Sequence, residues 1–173
     1  MRGWLLDTSV VSELRKPKPE PTVVAFVEAQ PAETLFLSDV TVAEIRYGIG
    51  LIDDADRRAG LEAWVDRTLR PLFAGRTLAV TEDVVLCWKT MAMAGQKRGH
   101  TFGQPDLFVA AIAALEGLVV VTRDTRHFVA AGVPVFDPWT GVLHADAERR
   151  LSIEVPASLA TVADALRSRK RGR

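Results

Sequence analysis

The sequence predicts an α/β domain built on a mainly parallel sheet. Strand-like apolar runs alternate with helical patterns from residue 4 to residue 136, which is typical of βαβ units. The valine-rich run at 118–122 fits a strand covered on both faces, as strands of a parallel sheet are. The chain has 173 residues, which is enough for one domain with a sizeable core.

The first predicted elements are a short strand and two helices. Residues 4–6 form a brief apolar run near the N-terminus, so we predict a buried strand there. Ser9 is placed to cap a short helix over 10–15. After a proline-rich loop, the apolar spacing of residues 22–30 fits an amphipathic helix, and Pro31 closes it.

The middle of the chain continues this alternation of strands and helices. Residues 34–37 predict a second strand, and a serine–aspartate pair then begins a helix over 40–51. Apolar residues on one face predict a further helix over 59–73. A third strand is predicted at 77–80. A threonine cap with two first-turn acids then begins a helix that runs to about Ala94.

The last strands of the alternating pattern follow a helix over 105–116. Its proline suits the first helical position, and a glycine then separates it from the strand at 118–122. Residues 128–131 predict a helical turn. Residues 133–136 predict a final strand, and Pro134 leads us to expect that strand at an edge of the sheet.

The pattern changes near residue 143, so we divide the chain there. We predict a main domain over 1–143 and a C-terminal appendage over 144–173, which is partly disordered or binds a partner. Within it, 151–155 fits a strand and 157–166 fits a helix. Residues 167–173 are strongly basic, and we expect them to be frayed.

Composition excludes several classes of protein. Lys+Arg and Asp+Glu both number 22, so any contact with nucleic acid must come from a local patch. The single cysteine, Cys87, excludes an internal disulfide and a multi-cysteine zinc site. The sequence has neither a signal-peptide pattern nor eighteen consecutive apolar residues. We therefore expect a cytoplasmic protein that does not enter membranes.

Four carboxylates are predicted to share one edge of the sheet. Asp7 follows the first strand directly, and Asp124 comes shortly after the strand at 118–122. Glu44 and Asp106 lie in early turns of their helices. In a parallel sheet, strand ends and the helix starts after them lie at the same edge, where ligands bind. The sequence thus predicts an acidic site there.

Such a cluster of carboxylates needs a positive charge among its members. Without one, at least one pKa must rise sharply. Mg²⁺ or Mn²⁺ suits oxygen ligands that lack His or Cys partners, and such ions serve phosphodiester chemistry. Three of the four acids also have a simpler interpretation, whereas Asp7, which closes a buried strand, needs partners. Asp106 would suit a helix dipole, Glu44 a solvated helix face, and Asp124 a turn.

Other catalytic motifs are absent from the sequence. It contains no Walker-type phosphate loop, no G-x-G-x-x-G after a strand, no G-x-S-x-G and no H-E-x-x-H. A phosphatase of another α/β class remains an alternative. A nucleophilic aspartate of that kind usually has a second aspartate two residues on, and Ser9 occupies that position.

Four motifs, in order, resemble those of PIN-domain toxins, in particular the VapC/FitB branch of bacterial toxin–antitoxin systems. The resemblance covers about residues 1–143, and its motifs are Asp7-Thr8-Ser9, residues 38–48, residues 105–111 and residues 121–128. Residues 136–139, Phe-Asp-Pro-Trp, also resemble the ending of those domains.

The resemblance implies a three-layer sandwich with a central sheet between helices. It also implies a Mg²⁺-dependent endoribonuclease, restrained by a cognate antitoxin and usually a homodimer. Carried over by position, Asp7, Glu44, Asp106 and Asp124 form the catalytic and metal-binding site. Many members have asparagine where Asp124 stands and an acid where this chain has His127. A catalytically inactive PIN module that binds RNA or antitoxin is therefore the alternative.

Several polar residues near the four motifs are candidates for contact with an RNA substrate. A glycine-rich basic loop spans 95–103, and hydroxyl side chains follow Asp7. Looped or single-stranded RNA is the expected substrate. The simpler interpretation is a solvated loop and an ordinary helix cap. The candidate residues are Thr8, Ser9, Lys97, Arg98, Arg123 and Arg126.

Overall fold

A central sheet of seven strands organises the computed structural model, which describes residues 1–168. The strands lie in the order β3-β2-β1-β4-β5-β6-β7. Their bounds are β1 (Gly3–Leu6), β2 (Leu35–Ser38), β3 (Thr77–Leu78), β4 (Leu118–Val121), β5 (Val135–Asp137), β6 (Val142–His144) and β7 (Arg150–Ser152). The strands β1 to β5 pair in parallel, while β5 with β6 and β6 with β7 pair antiparallel.

Helices flank both faces of this sheet, so the predicted α/β class with a mainly parallel sheet is confirmed. A π-helical turn at Val65–Leu69 joins the fourth helix to the fifth. The helices are α1 (Thr8–Leu14), α2 (Pro21–Glu28), α3 (Asp39–Gly50), α4 (Ala55–Trp64), α5 (Arg70–Leu72), α6 (Glu82–Gln96), α7 (Gln104–Glu116), α8 (Arg126–Ala131) and α9 (Leu159–Arg167).

Alternating side chains of the central strands build two hydrophobic cores. Trp4 packs edge-on against Phe26 of α2, with ring centroids 5.0 Å apart, in the core beneath α1 to α4 and α9. Leu5, the next residue of β1, joins the opposite core with Ile112 of α7 and Phe128 of α8. The period of two along β1 therefore assigns its side chains to two faces.

The order of the strands places a crevice between β1 and β4. The chain runs outward from β1 through β2 to β3, then returns across the sheet to β4 on the other side of β1. Such a reversal of strand order opens a gap at the carboxyl ends of the strands. Asp7 follows β1 and Asp124 follows β4, so both lie at this edge.

The expected edge position of the strand near Pro134 is wrong. β5 lies inside the sheet, between β4 and β6. The strand begins at Val135, and the carbonyl of Pro134 still accepts a hydrogen bond from the Val120 N–H at 3.1 Å. Pro134 therefore lies just before the strand, where the absence of a backbone N–H does not cost the sheet a hydrogen bond. The strand β6 was not predicted; it follows β5 after a turn that ends at Gly141.

The C-terminal segment packs against the domain core. β7 pairs with β6, and α9 buries Val162 completely. Gln30 links this segment to the core: its Nε2 donates to the carbonyl of Ala157 at 2.8 Å and its Oε1 accepts from Trp4 Nε1 at 2.8 Å. The division of the chain at residue 143 stays a prediction. Most of the basic stretch expected at 167–173 lies outside the described residues.

Among the helices in the part of the chain that the structure describes, none combines the length and apolar character needed to cross a membrane.

Replacing Gln30 by leucine tests the link between the C-terminal segment and the core. We expect Gln30→Leu to lower the free energy of unfolding by about 2–5 kcal/mol, because it leaves a buried indole N–H and a buried carbonyl without partners. Glu28→Ala, at an exposed position at the end of α2, two residues before Gln30, should change stability by less than about 0.5 kcal/mol. Urea denaturation measures both. Equal effects of the two substitutions would contradict this role for Gln30.

Candidate active site

Asp7 is the most buried of the four carboxylates. Only 9% of the residue is exposed. Its Oδ2 accepts hydrogen bonds from Thr122 Oγ1 at 2.7 Å and from Ser9 Oγ at 3.0 Å. It is also the N-cap of α1, so the expected capping by Ser9 is wrong. The helix begins two residues earlier than predicted, at Thr8, and Asp7 takes the capping position.

Glu44 reaches the same edge from α3. Its Oε2 accepts a hydrogen bond from Thr8 Oγ1 at 2.7 Å. Burial raises the pKa of Glu44, and the negative charges of Asp7 and Asp106 raise it further, while the Thr8 hydrogen bond opposes them. Glu44 is therefore close enough to both aspartates for their charges to disfavour its own.

Asp106 lies in the first turn of α7. Burial raises its pKa, the charge of His127 opposes that rise, and the charges of Asp7 and Asp124 add to it. Gly103 leaves room for this carboxylate, because a Cβ there would come within 3.2 Å of Asp106 Oδ2.

Asp124 is the most exposed of the four. Its side chain is 56% exposed and lies in the loop after β4. The Arg126 Nε lies 3.5 Å from Oδ1, and the His127 Nε2 lies 3.9 Å from Oδ2. The backbone N–H of Asp124 donates to Thr122 Oγ1 at 3.1 Å. The loop is thereby tied to the hydroxyl that also binds Asp7.

The charges of the four carboxylates influence one another, although the side chains are not arranged as a preformed metal site. The charge of Asp7 acts on Glu44 and Asp106, and the charge of Asp124 acts on Asp106. Within residues 1–168, no three carboxylate, imidazole or thiol groups stand together as a ready-made set of metal ligands. The donor set fits a hard divalent cation in charge and in atom type. The role of the four acids in binding metal stays a prediction.

The hydroxyl side chains after β1 and β4 position the acids. Thr8 binds Glu44, and Ser9 binds both Asp7 and Thr122, the latter at 3.1 Å between hydroxyl oxygens. Thr122 was predicted only as a strand residue. A hydroxyl that follows a run of buried valines at a sheet edge was the available signal, since a buried polar group needs partners.

The basic candidates for RNA contact differ in what they already bind. Arg98 donates to the carbonyls of Ala94 and Ala130, and Arg126 pairs with Asp124. The guanidinium of Arg123 lies 5.8 Å from the centroid of the Trp139 ring. Lys97 is exposed at the end of α6. Contact of these residues with RNA stays a prediction.

The sequence profile of the PIN domain matches residues 4–133. The chain belongs to the PIN-domain family, as the sequence motifs predicted. A VapC ribonuclease from Sinorhizobium fredii is 37% identical over 135 residues, which are 78% of this chain and 96% of that protein. Toxin FitB from Neisseria gonorrhoeae is 38% identical over 135 residues, or 78% of this chain and 97% of that one.

Solved structures of PIN toxins share the fold. A crystal structure of FitAcB from Neisseria gonorrhoeae superimposes with a TM-score of 0.75 at 38% identity, covering 79% of this chain and 98% of that chain. FitAB bound to a DNA fragment gives a TM-score of 0.74 at 37% identity, covering 79% and 95%. Roughly a fifth of this chain thus has no counterpart in these relatives, and the PIN profile ends at residue 133.

Neutralising one carboxylate tests the repulsion within the cluster. We expect Asp106→Asn to raise the Tm of the metal-free protein at pH 7 by a few degrees, since about 1 kcal/mol shifts a domain of this size by 2–4 °C. The folded pKa of Asp106 is raised, so its charge destabilises the fold at neutral pH. The gain should shrink as the pH falls towards ordinary carboxyl pKa values, because the wild-type side chain then takes up a proton.

Asp83→Asn is the matched control for that measurement. Asp83 also lies in the first turn of a helix, α6, but outside the cluster. Its loss removes a favourable interaction with the helix dipole, so the Tm should fall slightly. Thermal melts of both variants and of the wild-type protein from pH 4 to pH 8 measure these changes in Tm. A fall in Tm for Asp106→Asn at pH 7 would mean that the charge of Asp106 does not destabilise the fold.

Proposed function

We propose that this chain is a Mg²⁺-dependent endoribonuclease toxin, active also with Mn²⁺, that a cognate antitoxin restrains. The observation that carries the proposal is the approach of acidic side chains at the carboxyl edge of the sheet: Asp7 lies near enough for its charge to raise the pKa of Glu44 and of Asp106, in addition to the larger effect of burial. Relatives that are named ribonucleases and share the fold support the choice of RNA as substrate.

The residues that would hold the cation are Asp7, Glu44, Asp106 and Asp124. When bound, Mg²⁺ supplies positive charge that lowers the pKa of a coordinated water and stabilises charge on a phosphoryl group. The chain contributes fixed oxygen ligands. Thr122 and Ser9 orient Asp7, and Thr8 orients Glu44, so these carboxylates lose little freedom when a cation binds.

The proposed reaction is hydrolysis of a phosphodiester bond in looped or single-stranded RNA. The oxygen of a water molecule joins the phosphorus, and the 3′ oxygen leaves, so the products carry a 5′-phosphate and a 3′-hydroxyl. Arg123, Arg126 and Lys97 supply positive charge around the acidic edge for the phosphates on either side.

The proposed partner, an antitoxin, fits a groove beside the acidic cluster. Two adjoining depressions of about 290 and 220 Å³ share Val11, Arg15 and Trp64 as a common wall. Thr8 and Glu44 lie at one end, whereas Leu69 and Phe73 line the other, largely apolar end. A segment with apolar side chains along its length and a positive charge at the Glu44 end complements this groove. Solved FitAB and VapBC complexes of related toxins support such a partner.

A homodimer and a cytoplasmic location complete the proposal. Tyr47 lies in the last turn of α3 and Leu51 is the C-cap of that helix; the two residues are 71% and 65% exposed. A second copy of the chain would cover this apolar pair. The cytoplasm is where cellular RNA and a neighbouring antitoxin would both be present.

Replacing Asp7 by asparagine tests the proposed catalysis. We expect Asp7→Asn to reduce Mg²⁺-stimulated RNA cleavage by about 100-fold or more, because it removes a ligand charge while keeping the shape of the side chain. Thr122→Val should reduce cleavage by about 10–100-fold, since it removes only the hydroxyl that orients Asp7. Cleavage of labelled single-stranded RNA, with and without Mg²⁺, measures both effects.

Asp83→Asn, which removes a carboxylate outside the cluster, is the control and should cleave RNA at the wild-type rate. Circular dichroism shows whether each variant is folded. Full activity in folded Asp7→Asn would exclude that residue from the mechanism. A wild-type protein that binds RNA or its antitoxin without cleaving RNA would instead favour the inactive PIN module.

Replacing Trp64 by alanine tests the proposed antitoxin groove. The Arg15 guanidinium lies 4.7 Å from the centroid of the Trp64 ring, so this substitution opens the common wall. We expect the affinity of the chain for its proposed antitoxin to fall about tenfold or more. Leu86→Ala, at an exposed apolar position on the opposite face, should leave that affinity unchanged. Calorimetric titration of the purified pair, with a thermal melt of each variant, would contradict the groove if both variants bind alike.

A further inference from the structure

A pocket of about 260 Å³ lies on the opposite face of the sheet from the antitoxin groove, between α6, α7 and the loop that joins them. Pockets that enclose drug-sized ligands measure about 300–1,000 Å³, so this one suits a smaller planar group. Its lining includes aromatic rings and amide or imidazole side chains, from Trp88, Gln96, His100, Phe102 and Gln104.

The wall formed by the loop is fixed by a close approach to α6. A Cβ at Gly95 would come within 2.3 Å of the Phe102 ring and 3.2 Å of the His100 carbonyl. The His100 N–H donates to the carbonyl of Gly95 at 3.0 Å. Gly95 therefore lets the loop rest directly on the helix.

Aromatic rings give the pocket surfaces on which a base can stack. Trp88 lies parallel to Phe108, with centroids 4.9 Å apart and planes 4° from parallel. His100 meets Phe102 edge-on at 4.4 Å. Proteins that recognise single-stranded RNA stack splayed bases on such rings and bind their edges by hydrogen bonds.

Two residues that line the pocket each carry a buried polar atom that lacks a partner. Within residues 1–168, neither Trp88 Nε1 nor His100 Nε2 makes a hydrogen bond to protein, although both atoms are buried. An indole N–H only donates, whereas the amides of Gln96 and Gln104 both donate and accept. These groups suit the mixed donors and acceptors on the edge of a nucleobase.

The pocket adjoins the acidic cluster at two points. Gln104, in its wall, opens α7, and Asp106 follows two residues later in the same turn. The ring centroid of His100 lies 6.4 Å from that of His127, whose Nε2 is 3.9 Å from Asp124. A base in the pocket would therefore belong to a nucleotide beside the phosphate that the cluster acts on.

We propose that this pocket binds one unstacked base of the RNA substrate and sets the sequence preference of cleavage. The proposal rests on the ribonuclease activity proposed above and names how the same site selects its substrate. Stacking holds the base, and the Trp88 indole N–H with the Gln96 amide reads its edge.

A randomised pool of single-stranded RNA tests the proposal without knowledge of the natural target. The wild-type protein is incubated with the pool and Mg²⁺, and the cleaved ends are sequenced. We expect one base to be enriched at one position beside the cleaved bond. Trp88→Phe, which keeps a ring but removes the N–H, and Gln96→Ala should each reduce that enrichment about tenfold, as is typical when specific contacts to a base edge are lost.

Two further variants control the interpretation. Thr90→Val changes an exposed residue of α6 that does not line the pocket, and it should keep the wild-type enrichment. Gly95→Ala should displace Phe102 and reduce enrichment at the same position. Because enrichment is a ratio within one pool, a variant that is merely less active or less stable leaves it unchanged.

Three outcomes would overturn the proposal. The wild-type protein could cleave the pool with no base preference, or all the pocket variants could retain the wild-type preference. Either outcome would exclude a role for the pocket in base selection while leaving the ribonuclease function intact. A pool that the wild-type protein leaves uncut, while it remains folded and loaded with Mg²⁺, removes the ribonuclease function and the pocket's role together.

Discussion

Electrostatic repulsion among carboxylates at one edge of the sheet is the constraint on which the site depends. Glu44 and Asp106 are held where burial and, to a smaller extent, the charges of acidic neighbours disfavour ionisation. The rest of the fold must offset this cost, and the two cores on either face of the sheet do so. Hydroxyl groups on Ser9 and Thr122 then fix the directions of the carboxylate oxygens, so the unfavourable charge is concentrated where a cation would be useful.

The strand that carries Asp7 is also linked by hydrogen bonds to the C-terminal segment. Trp4 belongs to the strand that carries Asp7, and its indole N–H reaches Gln30 and through it Ala157 of the C-terminal segment. The segment therefore supports the strand from which the first carboxylate projects. A relative that aligns with 78% of this chain is itself covered over 96% of its length, so about a fifth of this chain lies outside that alignment.

Much of the fold was predictable because its signals are local. The apolar runs of β1 and β4 and the acids that follow them predict from the sequence alone that Asp7 and Asp124 lie at one edge of the sheet. The position of β5 was not predictable in this way, because whether a strand near Pro134 is interior depends on hydrogen bonds with neighbouring strands. The role of Thr122 was equally hidden, since a threonine at a strand end looks the same whether its hydroxyl meets solvent or a carboxylate.

The sheet stands between two surfaces that the proposals assign to different molecules. The groove at Trp64 lies over the core under α1 to α4, whereas the pocket at Trp88 lies over the core under α6 to α8. They approach each other only at the acidic edge. A mutation on one surface is thus insulated from the other by a layer of buried strands. During evolution, the choice of RNA and the choice of inhibitor are free to diverge at separate rates, with the chemistry between them unchanged.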